Sequence, residues 1–226
     1  YPTIILNLVR SEIKRRRKWV ACRWARKLYR QFPASDVTKS WGIDLQKVVL
    51  DDKPLGCMAS HKDQKRRIRN LQHNGQSDRA RKEIEELLAK STKKGRYHAE
   101  SMLAVFLTNE GFVEDALKLL LPYYEERKSD YSYLMSLAKA SGRAEEYQTA
   151  IGTYYKAYKT KSRGRNGRNA LFKSSFLSYQ AKDYDGSLRK FEEFNRRYKR
   201  SRLSRDARWY IGWIQYWIIF FVCSWS

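Results

Sequence analysis

GFVEDALKLLLPYYEER, residues 111–127, decides the fold class. A glycine opens it, a small residue (Ala116) stands five places on, and Leu120 and Tyr123 follow at nine and twelve. Apolar positions 116, 117, 119, 120, 121, 123 and 124 form a wide face at helical spacing. RKEIEELLAK puts Ile84, Leu87 and Leu88 on one stripe, and LRKFEEFNRRY does the same with Leu188, Phe191, Phe194 and Tyr198. Alternation of period two is nearly absent. KVVL is the one strand-like run and is too isolated to build a sheet, so the chain is expected to be all-α.

The pattern recurs. Taking Arg16, Gly75, Gly111, Gly142 and Lys182 as turns, the positions at +5, +9 and +12 read Ala21, Ala25, Leu28; Ala80, Ile84, Leu87; Ala116, Leu120, Tyr123; Tyr147, Ile151, Tyr154; and Ser187, Phe191, Phe194. Gly75, Gly95, Gly111 and Gly142 are expected at helix C-caps, where glycine reaches the left-handed conformation cheaply. Ser35 or Asp36 is available to cap a helix after Pro33, and Ser129 or Asp130 one after them. DDKPLG (51–56) and SRGRNGR (162–168) read as loops.

QAKDYDGSLRKFEEF (180–194) and GFVEDALKLL (111–120) resemble the turn and second helix of tetratricopeptide repeats. The resemblance implies a right-handed superhelical array of antiparallel helix pairs, a TPR-like α-solenoid. The expected divisions are N-terminal helical pairs over 1–60, TPR-like repeats over 61–213, and an apolar non-repeat tail over 214–226. FEEFNRRYKRSRLSRDARWYIGW (191–213), with WARKLYRQFPASDV (24–37) as a second copy, is similar to the superhelical N-terminal region of soluble lytic murein transglycosylases. Lys199 stands where that family's link usually carries proline. This resemblance implies a periplasmic module on or near peptidoglycan, next to a catalytic domain that would follow the repeats and has no room here.

The sequence supplies no catalytic set of its own. The one Glu-Ser pair, Glu100-Ser101, lacks the Gly-Leu-Met-Gln element that the family's chemistry needs, and reads as an ordinary helical carboxylate. No Cys-x-x-Cys, His-Glu-x-x-His, acidic calcium loop, phosphate loop or Gly-x-Ser-x-Gly elbow occurs, so no cofactor, metal site or catalytic residue is expected. His61, His73 and His98 lie far apart. The paired carboxylates Asp51-Asp52 and Asp183/Asp185 read as turn and cap residues. Three cysteines are too few for a disulfide framework; Cys22 and Cys57 read as small buried hydrophobes.

Charge is the remaining signal. The formal charge is +23, with 18 basic and 6 acidic residues in 1–70, 14 and 13 in 71–160, and 15 and 5 in 161–226. Two basic ends favour anionic partners. The clusters are RSEIKRRRKW (10–19), taken as a helix start; Arg66, Arg67 and Arg69; Arg163, Arg165 and Arg168 in the glycine-containing loop; and Arg196, Arg197, Lys199, Arg200, Arg202 and Arg205 around Tyr198. The expected binding surface is Arg163, Arg165, Arg168, Arg196, Arg197 and Arg200 with Tyr154 and Tyr158. Tyr123, Tyr147, Tyr154, Tyr155 and Tyr158 form an aromatic stripe suited to a groove or to core packing.

The first partner expected is peptidoglycan or a cell-wall protein. A protein or peptide held in a concave repeat surface is the alternative, and nucleic acid ranks third because no nucleic-acid module appears. The absence of an initial Met and the apolar run after Trp213 suggest a trimmed or truncated chain. That tail reads, in order, as a sticky remnant, a self-buried helix, or an anchor that contacts a membrane interface.

Overall fold

The computed structural model describes residues 1–224. Its helices are α1 (Pro2–Lys14), α2 (Lys18–Gln31), α3 (His61–His73), α4 (Ser77–Ala89), α5 (Lys93–Glu110), α6 (Val113–Leu120), α7 (Tyr124–Arg127), α8 (Tyr131–Arg143), α9 (Tyr147–Thr160), α10 (Gly164–Gln180), α11 (Tyr184–Arg197) and α12 (Leu203–Ser224). The chain divides into two units, Tyr1–Phe106 and Leu107–Ser226, with the division inside α5. The fold class is all-α, built from helices that turn back on one another through short links. The expected division after residue 60 falls at the start of α3, and the one after 213 falls inside α12, which runs through it without interruption.

In the second unit α8 packs on α9, α9 on α10, α10 on α11 and α11 on α12. One turn geometry recurs through both units. Arg16, Gly75, Gly111, Glu145 and Lys182 all have positive φ, between 58° and 99°. After each, the next backbone N–H donates to the carbonyl five residues earlier: Arg17 to Glu12, Gln76 to Leu71, Phe112 to Leu107, Glu146 to Ser141 and Asp183 to Ser178, at 2.9–3.0 Å. This Schellman-type bond satisfies a carbonyl that the ending helix leaves open and reverses the chain. Five residues on, Ala21, Ala80, Ala116, Ala150 and Ser187 are all buried.

The fourth turn corrects the sequence expectation. The left-handed residue is Glu145, and Gly142 lies inside α8. Counting from Glu145 gives the small crossing residue as Ala150, not Tyr147. Gly142 is glycine for a different reason: a Cβ there would lie 3.5 Å from the Ala150 Cβ and 3.4 Å from Leu177 Cδ1, so the helices meet closely at this point. Gly95 is likewise helical, in the first turn of α5. SRGRNGR is not a loop throughout, since α10 begins at Gly164. Gly167 in its first turn faces the Ser162 carbonyl, which a Cβ would overlap. Asp130 caps α8 as expected, accepting from Ser132 N at 2.7 Å and Tyr133 N at 3.4 Å.

In the first unit residues 32–60 depart from the helical pattern. No α-helix starts between Pro33 and α3; Ser35 Oγ donates to Phe32 O at 2.9 Å and the chain runs on in turns and one 3-10 turn, Leu45–Lys47. KVVL contributes to a minimal antiparallel hairpin, β1 (Val49–Leu50) and β2 (Lys53–Pro54), pairing Val49 with Pro54 and Leu50 with Lys53. Trp41, Leu45, Val48 and Leu55 of this segment are buried against Ile5, Val9, Ala25 and Leu28 of α1 and α2.

Two further ties hold the segment. Arg67, 0% exposed, donates from Nε and Nη2 to the Glu83 carboxylate at 2.7 and 2.8 Å, from Nη1 to Tyr29 O at 3.2 Å, and also to Trp41 O. Arg79 donates to Glu83 Oε1 at 3.2 Å, Trp41 O at 2.8 Å and Pro33 O at 3.1 Å. Arg67 is therefore a structural ion-pair residue and not part of a surface cluster with Arg66 and Arg69. The second tie corrects the reading of Cys22 and Cys57. They form a disulfide across 35 residues, Cα–Cα 5.4 Å, joining α2 to the link between β2 and α3. Their separation in sequence hid the pairing, which depends on the 32–60 segment folding back over α2.

Both ties are testable. Replacing Arg67 alone by Met strips a buried carboxylate of its main partner and is expected to cost about 3–5 kcal/mol in urea unfolding. The double substitution Arg67→Met/Glu83→Leu recovers part of that loss. Thiol titration of the denatured chain without reductant should find one reactive cysteine, rising to three after reduction; three at the outset would show that the bond does not form.

Candidate functional site

The expected surface falls in the second unit, its arginines where α10 starts and α11 ends and its tyrosines on α9. Helix α11 is amphipathic: Phe191 and Phe194 are fully buried, which turns Arg196 and Arg197 outward at its last turn. Asp183 fixes the other end as N-cap, accepting from Gly186 N at 2.9 Å. The link 198–202 is held by Tyr198, whose hydroxyl donates to Ser162 O, and by Ser204 Oγ, which donates to Tyr198 O at 2.6 Å. Arg168, Arg196, Arg197, Lys199 and Arg200 consequently line one open concavity of about 390 Å³ around Tyr198. Arg202, Arg205 and Arg208 line a neighbouring one of about 270 Å³.

The structure thus brings Arg168, Arg196, Arg197 and Arg200 together. Arg163 and Arg165 are exposed, at the cap and first turn of α10, and do not line that concavity. Among the described residues no carboxylate lies within 4 Å of any of these arginines. The nearby carboxylate Glu193 is engaged elsewhere, accepting from Tyr158 at 2.6 Å and Tyr155 at 3.2 Å.

Tyr154 and Tyr158 correct the expectation. Both are buried, at 4% and 0% exposure, so neither presents a ring to a ligand. They occupy the core face of α9, which helical spacing assigns together with Ala150 and Ala157. Tyr158 has an indirect role: Arg197 donates to its hydroxyl and lies over its ring at 5.5 Å. Burial and the Glu193 carboxylate raise the Tyr158 pKa, so the phenol stays neutral. Tyr123, Tyr147 and Tyr155 are half-buried.

The other candidates resolve into structural roles. Glu100 pairs with Arg96 at 2.7 Å along α5, and Ser101 Oγ donates to His98 O at 3.1 Å. Among the described residues no group of three or more His, Cys, Asp or Glu is placed to hold a metal ion. RSEIKRRRKW does not start one helix; it spans the end of α1, the Arg16 turn and the start of α2. Of the C-terminal tail, residues 214–224 continue α12, while residues 225–226 lie outside the described residues. Trp209, Trp213 and Tyr216 project from α12 in a stacked, exposed row, with ring centroids 5.7 and 6.1 Å apart. Among the described residues no helix is long and apolar enough to cross a membrane.

Two histidines that the sequence left apart do meet. The rings of His61 and His98 meet at a tilt of 38° with centroids 3.6 Å apart, and both lie near Gln64 Oε1, at 3.4 and 3.3 Å. Burial, then His61, then Lys65, lowers the His98 pKa to about 3.

No protein-family model and no curated protein matches the chain. Solved structures do. A tetratricopeptide repeat protein from Parabacteroides merdae aligns with a TM-score of 0.53 and 14% identity, over 95% of this chain and 73% of that one. MamA from Desulfovibrio magneticus RS-1 aligns with a TM-score of 0.52 and 12% identity, over 89% of this chain and 97% of that one. A double mutant of RS-1 MamA gives 0.51 and 13%, over 88% and 94%. At these identities the likeness is one of fold: an all-α, TPR-like helical-repeat architecture. It lends no support to the transglycosylase resemblance of residues 191–213.

The histidine pair carries a pH prediction. The unfolded chain binds a proton at His98 near pH 6.5, whereas the folded chain resists it until about pH 3. The contribution of the neutral His98 ring is complete above pH 6.5 and is lost progressively as the pH falls toward 3. His98→Gln should flatten the acid side of a Tm-against-pH curve between pH 6.5 and 4, relative to the unchanged chain.

Proposed function

We propose that this chain is a non-catalytic TPR-like scaffold that binds an acidic segment of a partner protein on the arginine-lined face of its second unit. The observation that carries the reading is the concavity formed by Arg168, Arg196, Arg197, Lys199 and Arg200, with no described carboxylate in ion-pair range. Guanidinium groups in such an array offer bidentate hydrogen bonds to carboxylates. Repeat folds of stacked helices bind extended segments through surfaces of this kind. We place the protein in an oxidising compartment, the periplasm. The Cys22–Cys57 disulfide supports that placement, because such bonds rarely persist in a reducing cytosol.

A second reading rests on the same arginines. Peptidoglycan stem peptides and lactyl groups bear carboxylates, so a cell-wall polymer is the other anion that this face fits in that compartment. The exposed row Trp209, Trp213 and Tyr216 next to Arg202, Arg205 and Arg208 suits sugar stacking as well.

The test is fluorescence anisotropy with a labelled Glu-Ala decapeptide, run beside sedimentation with purified sacculi and a mobility shift with single-stranded oligonucleotide. The expected result is saturable peptide binding that weakens at least tenfold, about 1.4 kcal/mol, in Arg196→Glu/Arg200→Glu. Binding should also fall with salt, because the face is exposed. Co-sedimentation with sacculi, lost in the same variant, would replace the peptide by peptidoglycan. Anionic binding of every kind that is unchanged in the variant would remove this face from the function.

A further inference from the structure

The first unit holds a second cationic site, separate from the face just described. Between the α1–α2 turn and the β1–β2 hairpin lies a cavity of about 380 Å³. Its cationic lining is Arg10, Lys14, Arg16, Lys18 and Lys53, and its apolar lining is Ile13, Leu50, Pro54 and Leu55. That volume is in the range of small-molecule sites, and an apolar floor with a few convergent charges is their usual chemistry.

The geometry brings these cations together from two stretches, residues 10–18 and Lys53. Arg16 sits at the left-handed turn, φ 58°, so Lys14 and Lys18 flank it on two helices. Lys53 comes from β2, across the cavity. The hairpin is held in place by Arg10, whose Nε and Nη2 bond the Asp51 carboxylate at 3.1 and 2.9 Å, and by the nearby Cys22–Cys57 disulfide.

The charge does not cancel. Asp51 is the one carboxylate of the lining, and Arg10 occupies it. Glu12, the acidic residue of α1, does not line the cavity and approaches Arg15 and Arg17, at 3.5 and 4.0 Å. Lys14, Arg16, Lys18 and Lys53 are left without a carboxylate in ion-pair range among the described residues. With Asp51 paired to Arg10, four positive charges of the lining stay uncompensated, an excess that favours a dianionic head over a monoanion. Several like charges held this close repel one another, and a dianion relieves that repulsion.

We propose that this cavity binds a phosphate monoester carrying a short apolar arm. Lys14, Arg16, Lys18 and Lys53 hold the phosphate, and Ile13, Leu50 and Pro54 receive the arm. A free organophosphate and the headgroup of a phosphatidate-type lipid share this chemistry.

Isothermal titration with hexyl phosphate, inorganic phosphate and hexanol tests the proposal on the full chain. Hexyl phosphate is expected to bind saturably and at least tenfold more tightly than inorganic phosphate, and hexanol not to bind. The exposed pair Lys14→Gln/Lys53→Gln should weaken hexyl phosphate at least tenfold with an unchanged circular-dichroism spectrum. Leu50→Asn should narrow its advantage over inorganic phosphate. Arg196→Glu/Arg200→Glu should leave the binding as it was, which separates this site from the proposed partner face.

Vesicles of phosphatidylcholine with and without phosphatidate distinguish the sources. Sedimentation that needs phosphatidate and is lost in Lys14→Gln/Lys53→Gln assigns the lipid headgroup; hexyl phosphate binding without sedimentation assigns the free ester. No saturable binding of hexyl phosphate, or binding unaffected by the Lys14/Lys53 double substitution, overturns the proposal.

Discussion

The close crossing of two helices just after a left-handed turn is the constraint on which the rest of the structure depends. A Schellman-type bond ends the first helix, and a small residue five places past the turn lets the second helix return against it. Larger residues one and two turns further, such as Phe191 and Phe194, fill the space that opens as the helices diverge. Because the core side of each helix is fixed in this way, its other side is fixed too. The outward placement of Arg196 and Arg197 is a consequence of the inward placement of Phe191 and Phe194 on the same helix.

The first unit uses a different device where the repeat pattern lapses. Residues 32–60 contain little regular structure, so their backbone groups need partners from elsewhere. Arg67 and Arg79 supply some of them, donating to the Pro33, Thr38 and Trp41 carbonyls while sharing the Glu83 carboxylate. The segment in turn provides the hairpin that walls the cationic cavity of the first unit. A buried guanidinium and a disulfide therefore underlie the first unit's candidate site, and a repeated apolar crossing underlies the second's.

The helical character and four of the five turns could be read from the residues, because these are local features. At Gly75 and Gly111 the left-handed residue is glycine, and at Arg16 and Lys182 the offsets to Ala21 and Ser187 give it away. At the fourth turn Gly142 is more conspicuous than the left-handed Glu145, and its reason is a contact with Ala150 and Leu177 that only the fold reveals. Arg67 looked like one of a surface trio because its partners come from 16 to 38 residues away. Cys22 and Cys57 were hidden for the same reason. Of the expected surface, the arginines were legible by composition and mostly do converge. Tyr154 and Tyr158 failed because an aromatic stripe at helical spacing is also the pattern of a core face.

The register of the fourth repeat tests the close-crossing account most directly. Urea unfolding of Ala150→Leu, set beside Tyr147→Ala, compares the crossing residue that the structure assigns with the one that a turn at Gly142 would assign. The account predicts a large loss for Ala150→Leu, about 2 kcal/mol or more, because overpacking a helix crossing has no room to relax, and a small loss for the half-buried Tyr147→Ala. A chain whose midpoint is indifferent to leucine at 150 would contradict it.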